Sequence, residues 1–350
     1  MDDLRKHIGR ALVVGVRGAD PDSPELRADL AVCARARVGG IILFDRDLAT
    51  CGFRNIVSPA QVRELTSCLR ETLGDDLLIM IDQEGGRVAR LGADRGFDPG
   101  IDAAAYAMLD QHAQREIAGA QARQLASLGI NVNLAPVVDL SIADDSPVIA
   151  GLGRSFGSDP ELVTRCARVW IEEHARAGIA SCLKHFPGHG SAAGDSHTGL
   201  VDITGRASRE QELAPFRELA SDPGVMLMTG HLLDQRVDSA LPASLSAAHT
   251  NGALRQGLGY EGVVVTDSID MGAIASRWSP GEAAALAFGA GADFVMDGVN
   301  APGDVRRCPA DSMSEAIAVA IESGRFADGA GRLRDSAERI ERLLRAIGRW

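Results

Sequence analysis

The strongest constraint on this chain is its rhythm. Short apolar runs rich in Val and Ile recur at "ALVVGV" (11–16), "VGGIILF" (38–44), "LLIMID" (77–82), "INVNLAPVVDL" (130–140), "IASCLKHF" (179–186), "GVMLMTGH" (224–231), "GVVVTDS" (262–268) and "ADFVMDG" (292–298). They are continuous rather than alternating, as strands of a parallel sheet covered on both faces are. Between them lie segments with helical spacing. "SPELRADLAVCARARV" and "SPAQVRELTSCLRETLG" both open on Ser-Pro, and the second closes on Gly74, matching the usual asymmetry of helix ends. "SDPELVTRCARVWIEEHARAG" begins at an N-cap-like Ser158 and ends on Gly178. Further helices are expected at about 206–221, 246–258, 279–290 and 310–323, and a last one carries Leu333, Ala337, Ile340, Leu344 and Ile347 on one stripe. Eight β-type runs alternating with helices predict an α/β protein, a single-domain (β/α)8 TIM-type barrel. A doubly wound sheet also alternates, but the count of eight favours the barrel. No Pro/Gly/Ser-rich linker divides the chain, so one domain over residues 1–350 is expected.

Composition excludes several functions. The formal net charge of -12 and the lack of a Lys/Arg-rich run argue against a nucleic-acid partner. No apolar stretch approaches the ~20 residues of a membrane helix. The N-terminal run "ALVVGV" is too short for a signal-peptide core. The six cysteines contain no Cys-x-x-Cys pair and read as reduced thiols, so a cytoplasmic location is expected.

In a barrel the C-terminal strand ends form the face that carries chemistry. Here nearly every predicted strand delivers an ionisable group to that end: Asp82, Asp139, Lys184 with His185, His231, Asp267 and Asp297. A single acidic residue after a strand often only caps the next helix. Six strands doing so, joined by the cluster "KHFPGHGSAAGDSHTGL" (184–200), fit capping poorly. His185, His189, His197 and Asp195 are plausible metal ligands. Lys184 argues against a metal there, because an ammonium beside a divalent cation is electrostatically unfavourable. "GHGSAAG" and "GLGRSFG" lack the dinucleotide glycine pattern, and no Walker sequence occurs.

These segments resemble glycoside hydrolase family 3, and within it the bacterial β-N-acetylhexosaminidases of the peptidoglycan-recycling type. The landmarks run in order: "GGIILF", "IDQEGGRVARL", "GINVNLAPVVDL", "RSFGSDP", "KHFPGHGSAAGDSH", "LPASLS" and "LGYEGVVVTDSIDMGAI". The resemblance implies a retaining exo-β-N-acetylglucosaminidase acting on short GlcNAc-containing glycans such as GlcNAc-anhydromuramyl fragments. It implies Asp267 as nucleophile, His197 as acid/base and Asp195 as the partner of His197. It further implies that Asp82, Arg90, Arg154, Lys184 and His185 hold the terminal sugar. Histidine suits the acid/base role because its reference pKa of ~6.5 lies near working pH. No metal or organic cofactor is implied, and a monomer is expected. β-Glucosidase and glycoside phosphorylase activities are the alternatives within the family, and a barrel that binds sugar without turnover is the non-enzyme alternative. Gly188, Gly190 and Gly194 are expected to give the 184–200 loop the freedom to bring His197 over bound sugar. The chain departs from the family pattern in lacking a proline soon after "DSH" and in a longer spacing between "PVI" and "RSFG".

Overall fold

Backbone hydrogen bonds join the eight apolar runs into one parallel sheet. The computed structural model describes residues 2–348 apart from 144–145, 197, 206–208, 223 and 327. The strands are β1 (Leu12–Gly15), β2 (Gly40–Leu43), β3 (Leu78–Ile81), β4 (Val132–Asn133), β5 (Ala180–Phe186), β6 (Val225–Thr229), β7 (Val264–Thr266) and β8 (Val295–Asp297). Each strand from β1 to β6 pairs in parallel with the next in sequence, and β1 pairs with β8 through Val13 opposite Met296. The Val265–Phe294 bridge, where Thr266 N donates to Phe294 O at 3.0 Å, completes the circle between β7 and β8. The fold is therefore the expected barrel.

β4 is far shorter than the run that announced it. Pro136 has no N–H to give a ladder. The backbone instead follows β5 by separate bonds, Cys182 N to Ala135 O and Val138 N to Lys184 O.

The outer helices begin where chain chemistry predicts. Ser23 and Ser58 accept from the N–H groups of Leu26 and Gln61, with proline at the first helical position of Pro24–Ala36 and Pro59–Leu73. The cap of Pro160–Arg176 is Asp159 rather than the expected Ser158, its carboxylate accepting from Glu161 N at 3.0 Å. The helix expected at 206–221 is described as Arg209–Leu219, and 206–208 lie outside the described residues. The segment Ala248–Gly257 is wound as a π-helix. Gln111–Ser127, between β3 and β4, has no counterpart among the predicted helices.

Inside the barrel, Val13, Ile42, Leu78, Met80, Val132, Leu134, Ala180, Cys182, Met226, Met228, Val265 and Met296 form one cluster. Ile340, Leu343, Leu344 and Ile347 belong to the same cluster, so the helix Gly329–Ala346 stoppers the barrel floor. Each such aliphatic side chain contributes about 1.5–3 kcal/mol on burial. The stripe on this helix differs from expectation at one step. Ala337 is exposed, and Ser336 takes the buried place, its hydroxyl donating to Asp293 O at 3.3 Å. With the floor filled, the open end of the barrel is the face where the strands terminate.

Candidate active site

Above that face lies a cleft of about 610 Å³. Its walls include Asp82, Arg90, Arg154, Lys184, His185, Asp195 and Asp267. The sequence drew these seven residues from segments that span 82 to 267, and the fold gathers them around one space. His197 lies outside the described residues.

The first group is set by β3 and the hairpin after it. Gln83–Gly85 pairs antiparallel with Val88–Ala89. Asn133 on β4 braces the turn, its Oδ1 accepting from Gln83 N at 3.1 Å and its Nδ2 donating to Gln83 O at 3.0 Å. Gly85 has φ +91°, and a Cβ there would stand 2.0 Å from Ile101 O. Glycine is thus required for the hairpin to sit where it does. This geometry aims Asp82, Glu84 and Arg90 at the cleft.

The second group comes from the end of β5. Lys184 is almost wholly buried, and its ammonium donates to Asp82 Oδ1 and lies 2.7 Å from Glu84 Oε1. Arg154 grips the same Glu84 carboxylate with two donors, Nε at 2.7 Å and Nη2 at 2.8 Å. Arg90 Nη2 stands 3.5 Å from Asp82 Oδ2. Asp82, Lys184, Glu84 and Arg154 therefore form a row of alternating charge, which is how buried ions avoid the cost of desolvation. Burial opposes ionisation of Glu84, but Arg154 and Lys184 overcome it and hold the carboxyl well below the usual carboxylate range. Asp82 behaves alike: burial pushes it up, and Lys184 and Arg90 bring it below its ordinary value. Burial acts against the Lys184 ammonium, yet Asp82 and Glu84 more than offset that and raise its pKa. All four groups are charged at neutral pH.

His185 is oriented from behind. Asp139, fully buried after β4, has Oδ2 2.7 Å from His185 Nδ1, and its Oδ1 accepts from His189 N at 2.8 Å. His185 N also donates to Oδ1 at 3.0 Å. Holding Nδ1 in this way fixes the ring, leaving Nε2 toward Arg154 at 3.5 Å. Burial opposes the Asp139 charge, but His185 and the bonds from the loop keep its pKa below the ordinary value. Burial, aided by the nearby His185, lowers His189 to about 4, so its ring is neutral.

The glycine-rich segment is more tightly held than expected. Residues 187–192 are buried, and exposure begins at Ala193. A Cβ on Gly190 would sit 1.7 Å from Leu140 O. Close packing, rather than freedom of movement, demands glycine there. Farther along, Ser196 O accepts from Ala273 N at 3.2 Å, which ties the loop to the segment after Asp267. Asp267 itself follows β7. Its N–H donates to Thr229 O at 2.9 Å, and its Oδ1 accepts from Ser268 N at 2.8 Å.

The other strand-end residues support from outside. His231 has Nδ1 2.7 Å from Ser244 Oγ and Nε2 2.8 Å from Ser268 O, beside Asp267. Asp297 is buried within 3.3 Å of Arg306, and burial with the nearby Asp270 charge raises it to about 6. Among the described residues, no group of three or more His, Cys, Asp or Glu side chains is arranged to hold a metal ion. Sequence reasoning missed Glu84, although it lies inside the quoted "DQEGGRV". The signal was available: a carboxylate two residues beyond a strand-end aspartate, with buried cations needing partners.

The description "Glycosyl hydrolase family 3 N terminal domain" matches residues 4–343. Beta-hexosaminidase A of Pseudoalteromonas piscicida is 37% identical over 286 residues, 75% of this chain and 46% of that protein, so this chain spans less than half the relative's length. Beta-hexosaminidase of Alkalilimnicola ehrlichii is 38% identical over 292 residues, 81% of this chain and 79% of the relative. Among solved structures, a glycoside hydrolase family 3 β-N-acetylglucosaminidase from Paenibacillus superposes with a TM-score of 0.85 at 34% identity, over 99% of this chain and 63% of that one. LpqI of Mycobacterium tuberculosis gives 0.79 at 31% identity, over 96% and 92%. With the family description spanning nearly the whole chain and relatives of this similarity, the chain belongs to glycosyl hydrolase family 3 and corresponds to its N-terminal domain.

Proposed function

We propose that this chain is a retaining exo-β-N-acetylglucosaminidase that removes terminal β-linked GlcNAc through a covalent glycosyl-Asp267 intermediate. One observation carries the reading: Asp267 borders the same cleft as the charged side chains of Asp82, Lys184 and Arg154 and the oriented imidazole of His185, groups suited to sugar hydroxyls. The resemblance of relatives named beta-hexosaminidase supports the sugar. The Asp267 carboxylate attacks the anomeric carbon as the aglycone oxygen leaves. His197 gives that oxygen a proton, then takes one from the water that hydrolyses the intermediate. Asp195, two residues earlier and bordering the cleft, orients the imidazole. General acid–base help of this kind is worth about 10²–10⁴-fold in rate.

The substrate we infer is a peptidoglycan fragment, with a carboxylate-bearing sugar as aglycone. Arg46 and Arg87 are exposed at the cleft wall and provide cations for such a group on a chain whose net charge is -12. We place the reaction in the cytoplasm, in keeping with six free cysteines.

Nitrophenyl glycosides test the sugar. Turnover of the N-acetylglucosaminide should exceed that of the glucoside, and inorganic phosphate should not change the products. A fluorosugar that slows breakdown of the intermediate should label the peptide carrying Asp267. A preference for the glucoside, a sugar phosphate as product, or a label on another residue would each refute the corresponding part.

A further inference from the structure

We propose that Glu212 is a positioning residue for the acid/base loop, fixing its root at Ser191, six residues before the proposed acid/base His197. This rests on the reading of His197 given above. Glu212 lies on the helix Arg209–Leu219, outside the cleft, and is 1% exposed. Its two oxygens accept from the two donors of one residue, Ser191 N at 3.0 Å and Ser191 Oγ at 3.2 Å. Ser191 is itself buried, six residues before His197. The glutamate also packs on Gly188, where a Cβ would meet its side chain at 2.8 Å.

Asp139 grips the same root through the backbone N–H groups of His185 and His189. Two buried carboxyl groups thus clamp residues 185–191, and the loop beyond them is tied again at Ser196, whose carbonyl accepts from Ala273 N. A helix that only needed to cover the barrel would present an apolar side chain here, because a buried carboxylate is costly unless its bonds matter. The cost is visible: burial raises Glu212 to about 7, against the pull of the Ser191 N–H, with the Asp139 charge adding to the rise. Arg236 is the cation whose charge acts against it.

The test compares leaving groups. Proton donation matters for an alkyl or sugar aglycone and little for an activated nitrophenolate. Glu212→Ala should slow kcat on a poor leaving group about tenfold or more while changing the activated substrate about twofold, with KM little altered. Glu212→Gln keeps an acceptor for Ser191 N and should restore the wild-type profile. A purely architectural loss would reduce both substrates by one factor, and that result overturns the proposal. Should Glu212→Ala not fold, Ser191→Ala removes the hydroxyl bond while keeping the backbone one. It should show the same bias at smaller size, and unbiased loss or no loss overturns the proposal. His197→Ala separates the two readings. If it lacks the bias, the acid/base assignment fails and this proposal falls with it. If it shows the bias and the Glu212 and Ser191 variants do not, the Glu212 assignment alone is overturned.

Discussion

Glu84 is the residue on which two buried cations converge, and Glu84→Gln tests whether that carboxylate holds the sugar site together. The replacement keeps shape and removes charge. Lys184 retains Asp82 at 2.7 Å, but Arg154 loses both of its bonds to a carboxylate and keeps the carbonyl of Val148 at 3.1 Å. Removing one member of a buried ion pair typically costs about 3–5 kcal/mol, because the remaining charge stays desolvated. With an unfolding entropy of about 2.1 cal/mol/K per residue over 350 residues, that corresponds to a fall of about 4–7 °C in Tm. Urea denaturation at several pH values is the assay. Because the folded Glu84 carboxyl titrates well below its ordinary value, its contribution is fully present above the ordinary glutamate range and is lost as pH falls beneath it. The stability gap between wild type and variant should therefore be constant near neutrality and shrink in acid. A gap under about 1 kcal/mol, the size of an exposed pair, would refute the reasoning, as would one that widens on acidification.

Three further outcomes follow from the same geometry. Asp267→Ala should eliminate turnover of nitrophenyl N-acetylglucosaminide yet keep a cooperative melt within a few degrees of wild type, since the side chain lies at the edge of a cleft; circular dichroism and kinetics check both halves. Gly190→Ala should lower Tm and activity together, because its Cβ would stand 1.7 Å from Leu140 O and the backbone must shift; an unchanged melt would contradict the packing described. Glu212→Gln should become progressively more stable than wild type as pH rises from about 4.5 to 7, by about 3 kcal/mol, then stay level: the folded carboxyl holds its proton to about pH 7, so wild type loses stability across that window. An unfolding free energy difference independent of pH would contradict this.

The strands were legible because burial on both faces leaves unbroken Val/Ile runs, and the caps because Ser-Pro starts obey local chemistry. Gln111–Ser127 was not, and the reason is visible in its inward face. That face is Gln114, Ala118, Gly119, Gln121, Ala122 and Leu125, with one large aliphatic residue and hence no apolar stripe to read. The strand-end residues of the site could be named because they follow apolar runs. Glu212 escaped for a different reason. A glutamate in "REQEL" looks like any solvated helix charge, and only the tertiary approach of Ser191 distinguishes Glu212 from its neighbour Glu210. Glycines misled in the opposite sense: Gly190 reads as a hinge but is a point of contact.

The stoppered floor constrains when this protein can work during its own synthesis. Ring closure joins a strand that starts at Leu12 to one that starts at Val295, and the plug needs Ile347. A ribosome-bound chain that has not yet exposed that residue carries an unsealed cylinder with greasy side chains open to water. Every residue proposed here as nucleophile or sugar partner is already present by residue 267, so on that reading the last piece the site waits for is a helix that lines no part of the cleft.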